Sequence, residues 1–221
     1  PMPNAYHFLL KYAHLSNNKL VLNHVELTLD KMAFGGIYDQ IGGGFARYSV
    51  DELWKAPHFE KMLYDNGQLV SLYSDAYLKF KKPLYKEVVF ETLDFIEREL
   101  MAENGAFYSA LDADSEGEEG KFYVWNETEL KLFIREDYAI FKDYYNVNRK
   151  GLWEHGNYIL LKKKTKKQIA KQHKISVSAL DAKIATWKTI LMSEREKRIR
   201  PGLDDKSLTS WNGLMLKGYI D

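Results

Sequence analysis

A histidine that follows a proline is the residue best suited to acid–base chemistry in this sequence. His58 follows Pro57 and precedes a long stretch, from Phe59, in which apolar residues recur at helical spacing. An imidazole titrates close to neutral pH, so it can accept and donate a proton under physiological conditions. Because proline favours the first turn of a helix, His58 is predicted at or near a helix N-terminus, where the dipole favours the neutral ring. A histidine that hydrogen-bonds loop backbone explains the residues equally well, and Glu60 and Asp65 are assigned structural roles first.

Alternating acids mark the middle of a second glycine-rich segment. Asp112, Asp114, Glu116 and Gly117 match the beginning of a calcium loop, in which alternating oxygens converge and glycine permits the turn. The match then ends, because Tyr123 occupies the position of the bidentate glutamate. An acidic hairpin tip whose carboxylates accept backbone hydrogen bonds is therefore preferred, with calcium binding as the alternative. The sequence predicts no metal ion and no cofactor.

A third charged segment lies directly before the last predicted helix. Arg200, Asp204, Asp205 and Lys206 carry opposite charges within seven residues. They form either an ion-paired loop or, with Asp204 or Asp205 as an acid or base, part of a site, and the spacing supports both interpretations. The sequence has no G-x-S-x-G, P-loop, H-E-x-x-H or dinucleotide motif, so serine hydrolase, phosphate-loop and common zinc-protease chemistry have no support.

Apolar residues recur at helical spacing along most of the chain. The pattern predicts helices at 4–15, 22–33, 59–80, 89–100, 126–133, 176–191 and from 207 or 209 onward. The glycine-rich segments 37–49 and 105–125 are each predicted to form a β-hairpin. Helix pairs joined by long loops at one end favour an α/α toroid or solenoid over a compact four-helix bundle.

The composition limits the class of protein. A chain of 221 residues that is 45% hydrophobic and 29% charged can bury a core, and its apolar runs are too short to span a membrane. The 32 basic and 31 acidic residues nearly cancel, so no nucleic-acid or membrane partner is expected. The basic run at 162–167 is interpreted as a solvated turn and helix face. The absence of cysteine excludes disulfides and thiol catalysis. No signal-peptide pattern precedes Asn4, and a cytoplasmic location is expected.

Three motifs are distinctive in their order and spacing. They are the glycine-rich run 35–45 with the segments 47–51 and 57–66, the pair of segments 109–116 and 119–125, and the segment 200–206 with 211–214. In these motifs the chain resembles the thioredoxin-domain-containing spermatogenesis-associated (YyaL-type) family. The resemblance covers nearly the whole chain and is weakest from about residue 132 to 198. Ala46 departs from the family pattern, which often has histidine there, and this weakens any essential role for a histidine in the first loop.

The resemblance implies a thioredoxin-like domain followed by a six-hairpin (α/α) toroid related to glycosidases and N-acylglucosamine epimerases. Residues 1–221 are then expected to form the N-terminal part of the toroid domain. The thioredoxin-like domain and the remaining hairpins are expected to lie outside this chain. In six-hairpin enzymes, loops at one mouth of the toroid bring acids, histidines and aromatic platforms together.

On that resemblance, two sets of side chains are expected at the toroid mouth. The catalytic set is His58, Asp39, Asp112 and Asp114, and the substrate-binding set is Tyr38, Arg47, Tyr48, Trp54 and Trp125. Ordinary packing under long loops is an equally good interpretation of the aromatic residues. The catalytic hypothesis requires that His58 and one aspartate of the set line a single pocket with Tyr38 or Trp125.

The leading functional prediction is a carbohydrate-processing or carbohydrate-binding domain. The full-length protein is then expected to have glycosidase- or epimerase-like activity, with a sugar-like small molecule as ligand. The alternative is a non-catalytic scaffold for the thioredoxin-like domain or for another protein. The absent thioredoxin-like domain and C-terminal hairpins are the expected partners, and helix faces exposed at the cut end predict a homodimer.

Overall fold

Helices make up most of the regular backbone, in agreement with the prediction of a mainly helical chain. The structure is a computed structural model that describes all 221 residues. The helices are α1 (Pro3–Ser16), α2 (Lys19–Phe34), α3 (Leu63–Phe80), α4 (Pro83–Glu99), α5 (Glu127–Ile134), α6 (Tyr138–Tyr144), α7 (Lys166–Gln172), α8 (Val177–Arg195) and α9 (Thr209–Ile220). No helix combines the length and the apolar character needed to cross a membrane.

Short antiparallel strand pairs connect the helices. The strands are β1 (Tyr48–Ser49), β2 (Pro57–His58), β3 (Lys61–Met62), β4 (Ala110–Leu111), β5 (Asp114–Ser115), β6 (Glu118–Glu119), β7 (Trp125–Asn126), β8 (Asn157–Tyr158) and β9 (Leu203–Asp204). β1 pairs with β2, β5 with β6 and β7 with β8, and β4 lies between β3 and β9 in a three-stranded sheet. That sheet joins three segments that are far apart in the sequence.

The first four helices pack around one apolar core. Leu29 of α2, Tyr73 of α3 and Tyr85 of α4 are completely buried in it. The Tyr73 hydroxyl donates a hydrogen bond of 2.8 Å to the Leu29 carbonyl, and the Tyr73 and Tyr85 rings meet edge to face at 5.5 Å. Buried hydroxyl groups of this kind need an acceptor, so the hydrogen bond fixes the rotation of α3 against α2.

The later helices form a second apolar core around Trp187 of α8. The Trp187 ring meets the rings of Phe141 and Tyr145 from the region of α6 at 5.4 and 6.4 Å. α6 and α7 were not expected from the periodicity, because each has only seven residues, about two helical turns, which is too short to show a clear period. α7 still carries a local start signal, since Thr165 and Gln168 form a capping box.

The helix predicted from residue 59 begins at Leu63 instead. Residues 59–62 are extended, and Lys61 pairs with Leu111 across the β3–β4 ladder. His58 lies in β2, so the prediction that it occupies a helix N-terminus is wrong, and the helix dipole does not act on it. Strand pairing with distant segments outweighs the helical periodicity of this stretch.

The strand pairing in the two segments predicted as β-hairpins also differs from the prediction. In the segment 105–125 only the tip is a hairpin, with Asp114 opposite Glu119 and a turn at Glu116 and Gly117, where φ is positive. β4 and β7, which flank this tip, pair with other parts of the chain. The segment 37–49 closes on itself through one antiparallel bridge, Tyr38 with Phe45, and its last two residues form β1, which pairs with β2. Two-residue strands have no periodicity from which a partner can be read.

α3 and α9 cross at very short range. A Cβ atom on Gly67 would lie 2.9 Å from the Met215 backbone, and one on Gly218 would lie 2.7 Å from the Gly67 carbonyl oxygen. Neither distance is compatible with a side chain larger than hydrogen unless the helices move apart. The glycines therefore set the separation of these two helices.

Candidate functional site

His58 is held between two carboxylates at the surface. Its Nδ1 lies 2.7 Å from Glu119 Oε1, and its Nε2 lies 3.7 Å from Glu60 Oε2. The Glu119 carboxylate also accepts a hydrogen bond of 3.2 Å from the Phe59 backbone N–H, so two donors fix its position. Because a carboxylate only accepts, Nδ1 carries the proton in the neutral ring and Nε2 is left free to accept one.

Tyr48 and Arg47 complete this arrangement. Tyr48 is opposite His58 in the β1–β2 register, and the two rings stack with centroids 4.9 Å apart. Arg47 Nη1 donates to Glu60 Oε2 over 2.8 Å, and the backbone N–H of Arg47 donates to the Glu60 carbonyl. We call the group formed by Arg47, Tyr48, His58, Glu60 and Glu119 the His58 surface. The His58 side chain is 27% exposed, so an external molecule can reach it.

A buried acid lies on α3 close to the His58 surface. Asp65 is only 4% exposed, and its Oδ2 has no hydrogen-bond partner. Burial raises the pKa of Asp65 to about 6, although the chain's amino terminus and Arg47 oppose the increase. The adjacent Tyr64 ring meets the Trp211 ring at 4.8 Å. Asp65 can therefore change its protonation state near neutral pH.

Asp39 belongs to a buried ionic network. Its carboxylate accepts hydrogen bonds from Lys61 Nζ at 2.9 Å and from Arg195 Nη1 at 2.7 Å and Nη2 at 3.1 Å. Its Oδ1 also accepts the backbone N–H groups of Ile41 and Gly42. Although burial alone would raise the pKa of Asp39, the Arg195 and Lys61 charges and hydrogen bonds hold it well below its usual range. Burial lowers the pKa of Lys61 to about 8, with Asp39 opposing that change.

The loop that carries Asp39 presses directly on α4. Gly43 has φ of +75°, and a Cβ atom there would lie 2.1 Å from the Glu91 carbonyl oxygen. The adjoining cavity has a volume of about 20 Å³, which is room for about one water molecule. Tyr38, Asp39, Lys61 and Arg195 line it, and His58 does not. The ionic network of Asp39, Lys61 and Arg195 therefore joins the loop after α2 to β3 and α8.

The aromatic residues of the predicted platform separate into two groups. Tyr38 is buried, with its hydroxyl donating to Glu91 over 2.7 Å, and Trp54 packs against the core of the first four helices. Trp125 is also completely buried, with the Arg198 guanidinium 3.9 Å from its ring centroid. Only Tyr48 is exposed beside His58. For Tyr38, Trp54 and Trp125, the structure therefore agrees with ordinary packing and not with an exposed binding platform.

The acidic hairpin lies next to the His58 surface. Asp114 is exposed and pairs in the strand register with Glu119, which binds His58. Asp112 is exposed, and its Oδ1 accepts the Ala113 backbone N–H over 2.7 Å. Lys121 lies within ion-pair distance of Glu116, at 3.3 Å. No three His, Asp or Glu side chains are grouped closely enough to hold a metal ion, so the calcium alternative gains no support.

The charged segment before α9 forms ion pairs. Lys206 Nζ lies 2.8 Å from Asp204 Oδ1, and Arg200 pairs with Glu99. β9 at Leu203–Asp204 extends the sheet of β3 and β4. This agrees with the ion-paired interpretation of the segment.

The structure therefore brings together three of the predicted site residues, His58, Arg47 and Tyr48, with Asp114 nearby. It does not place Tyr38, Trp125 or Asp39 in one pocket with His58, so the predicted catalytic constellation of His58 and an aspartate with Tyr38 or Trp125 is not formed. Glu60 and Glu119 are the contacts that sequence reasoning missed. Glu60 was assigned a structural role, and Glu119 lies 61 positions from His58, so only the folded chain relates them.

Comparisons with known proteins support the family resemblance. No family model matches the chain. An uncharacterized protein of Caenorhabditis elegans is 35% identical over 96% of this chain. Proteins named spermatogenesis-associated protein 20 from mouse and human are 34% and 35% identical over 87% of it. The aligned regions are 33% of the worm protein and 28% of each mammalian protein, so the chain spans about a third of the length of these relatives.

Proposed function

We propose that this chain is part of the helical region of a protein of the spermatogenesis-associated protein 20 family, and that its His58 surface is an acid–base site for a hydroxylated, sugar-like ligand. Sequence identity near 35% over most of the chain supports the family. The mainly helical fold with short loop strands supports the N-terminal part of an α/α toroid. The expected thioredoxin-like domain and later hairpins belong to the longer relatives under this proposal.

The observation that carries the chemistry is His58 between Glu119 and Glu60. Glu119 holds the ring through Nδ1, which leaves Nε2 as the atom that exchanges a proton with a ligand hydroxyl. Glu60 Oε2 lies 3.7 Å from Nε2, on the side of the ring where the proton is exchanged. In this arrangement the Glu119 carboxylate orients the imidazole, and the free Nε2 of the ring acts as the general base.

Tyr48 and Arg47 supply the binding contacts in this proposal. The exposed Tyr48 ring offers an apolar face of the kind on which sugar rings stack, and Arg47 offers donors for ligand oxygens. Asp114 faces solvent beside Glu119 and is the second carboxylate of the predicted catalytic set. Asp39, Tyr38, Trp54 and Trp125 contribute indirectly here, by fixing the loops that carry the surface.

The test uses the full-length protein and a screen of sugars and sugar phosphates for turnover. With a substrate identified, His58→Asn is expected to reduce kcat at least about 100-fold, because general acid–base catalysis contributes about 10²–10⁴-fold. Glu119→Ala is expected to reduce kcat about tenfold or more, since it releases the ring. Glu118→Ala is the matched control, because Glu118 lies in the same strand and contacts Lys121 instead.

Unchanged kcat in His58→Asn, with a normal melting temperature, contradicts the catalytic role. If the wild-type protein binds a sugar without turning it over, and His58→Asn loses that binding, the site binds carbohydrate and does not catalyse a reaction.

A second candidate function, a non-catalytic scaffold, is favoured by apolar residues that α1 and α2 expose. Phe8 and Leu15 are 66% and 73% exposed, and Leu20 and Leu27 are 82% and 56% exposed. Exposed apolar groups in such number are typical of surfaces that another chain or domain covers. Leu20→Lys with Leu27→Lys is expected to abolish self-association of this chain in sedimentation experiments. Leu132→Lys, on the exposed side of α5, is the control. A monomeric wild-type chain contradicts the dimer.

A further inference from the structure

A groove between the two helical cores contains a lysine that has no ionic partner. Phe34 of α2 and Glu87 of α4 line one side, and Lys162, Lys166 and Asp181 line the other. The groove has a volume of about 490 Å³, and an adjoining cavity of about 260 Å³ shares Lys162. Lys162 belongs to the basic run interpreted from the sequence as solvated, yet its side chain is partly buried. Lys164, Lys166 and Lys167 of the same run also line the groove, whereas Lys163 is exposed outside it.

The other charges of the groove are either paired or exposed. The ion pairs are Asp30 with Lys82, Glu87 and Asp181 with Lys166, and Glu91 with Lys188. Lys164 and Lys167 are exposed, and Lys164 donates a hydrogen bond to the neutral Gln172 side chain. Lys162 is partly buried, and its Nζ has neither a hydrogen bond nor an ion pair and lies 5.6 Å from the Phe34 ring centroid. Every groove carboxylate is therefore already paired, and the groove keeps an excess of positive charge.

Leaving an ammonium group partly desolvated and unpaired costs free energy. Burial lowers the pKa of Lys162 to about 8; Lys188 and Lys166 add to this decrease, while Glu91 and Glu87 oppose it. An anion from outside that contacts Nζ would offset more of this cost, because Glu91 and Glu87 are paired with Lys188 and Lys166 and form no ion pair with Lys162. Apolar side chains lie beside this position, among them Phe34, Leu84 and Val177.

We propose that this groove binds a small molecule that carries a phosphate or carboxylate group on a flat apolar body. The anionic group binds Lys162 Nζ, and the apolar body packs against Phe34 and Leu84. The groove lies between the helical cores and shares no residue with the His58 surface, so this site is independent of the proposed acid–base chemistry.

The test is calorimetric titration of the chain with phenyl phosphate, benzoate and phenol. Phenyl phosphate or benzoate is expected to bind at least tenfold more tightly than phenol, and the tighter of the two anions identifies the preferred group. Lys162→Met is expected to weaken binding of that anion at least tenfold. Lys163→Met is the matched control, because Lys163 is exposed and does not line the groove, and its affinity should stay within twofold of wild type.

Equal affinity in Lys162→Met and wild type overturns the proposal, as does an equal loss in Lys163→Met or an absence of binding by both anions. A second measurement uses the unaltered chain, in case the variant does not fold. Lysines are acetylated with acetic anhydride with and without phenyl phosphate, and the modified peptides are quantified by mass spectrometry. Protection of Lys162 of at least threefold, with none at Lys163, is expected. Equal protection at both lysines contradicts the site.

Discussion

At the scale of single residues, two ionisable side chains, Asp39 and His58, differ in their exposure to water. Asp39 is buried with Lys61 and Arg195, whereas His58 is partly exposed between Glu60 and Glu119. Charges inside a protein act strongly on one another and on the fold, and charges at its surface remain available to ligands. The Asp39 network therefore stabilises the structure, and the His58 surface is the place for proton exchange with a ligand.

Removing the charge of Asp39 should destabilise the chain strongly. In Asp39→Asn the amide oxygen still accepts the Ile41 and Gly42 N–H groups, but Lys61 and Arg195 lose their counterion. Breaking a buried ion pair on one side costs about 3–5 kcal/mol of unfolding free energy. Urea denaturation measures this loss, and Asp205→Asn, at an exposed position, should change stability by less than about 0.5 kcal/mol. Equal stability of the two variants would show that the network is dispensable.

Asp65 should make the chain less stable as the pH rises. Its pKa is raised to about 6, so the folded state binds more protons than the unfolded state between roughly pH 4 and 6, and stability falls across that range. Asp65→Asn removes the cost of the buried charge and should stabilise the chain at pH 7.5 by about 1–3 kcal/mol, since one pKa unit corresponds to about 1.4 kcal/mol.

Thermal unfolding of the Asp65→Asn chain at pH 4.5 and pH 7.5 measures this effect. The gain should be clearly larger at pH 7.5. Asp94→Asn, at an exposed position on α4, is the control and should show no such difference. A gain that is the same at both pH values would mean that Asp65 does not titrate with a raised pKa.

The family resemblance, together with the residue types in the loops, identified part of the candidate site. His58, Arg47 and Tyr48 were among the side chains expected at the toroid mouth, and the folded chain brings all three together. Glu119 was not predictable, because its contact with His58 depends on the pairing of β5 with β6 and on the path of a distant loop. Whether an aromatic residue is buried, as Trp125 is, likewise depends on contacts that a single sequence does not contain.

At the scale of elements, long helices were predictable and short ones were not. α1 to α4 have 14 to 18 residues each, which is enough for a clear 3.6-residue period. α5 begins at a capping box, in which Asn126 Oδ1 accepts the Glu129 N–H at 2.9 Å and Glu129 Oε2 accepts the Asn126 N–H at 3.0 Å; asparagine followed by glutamate three residues later is a signal that the sequence itself contains. Two-residue strands form only because tertiary contacts place their partners beside them.

The crossing of α3 and α9 gives a prediction about helix packing. In Gly67→Ala the new methyl group would lie 2.9 Å from the Met215 backbone, so the helices must separate, and overpacking of this kind costs about 1–3 kcal/mol. Gly213→Ala on α9 is the matched control, because no atom lies within 4 Å of a Cβ there. That variant should gain up to about 1 kcal/mol, since alanine favours helices over glycine.

Urea denaturation of both glycine variants measures the difference. Destabilisation by Gly67→Ala together with stabilisation by Gly213→Ala is the expected pair of results. Stabilisation by both would show that α3 and α9 do not approach each other as closely as the structure indicates.

At the scale of the whole molecule, ion pairs cross the boundary between the two largest apolar cores. Asp39, which follows the first pair of helices, binds Arg195 at the end of α8, and Glu91 of α4 binds Lys188 of α8. The groove that contains Lys162 runs along the same boundary. Charged side chains are therefore concentrated at the boundary between the two cores. The near-zero net charge of the whole chain did not predict this concentration.

The chain aligns with about a third of the length of its relatives, and apolar side chains on α1 and α2 are exposed. The toroid, the thioredoxin-like domain and the dimer remain predictions at this scale. Tests of catalysis therefore belong to the full-length protein, whereas the geometry of the His58 surface can be tested on the chain itself.

The most direct test of that geometry is the tautomer of the His58 ring, measured by long-range proton–nitrogen NMR on the alkaline side of its titration. Glu119 accepts from Nδ1, so a neutral ring protonated at Nδ1 and free at Nε2 is predicted. Glu119→Ala should abolish this preference, and Glu118→Ala should keep it. A wild-type ring protonated at Nε2, or an unchanged spectrum in Glu119→Ala, would contradict the account.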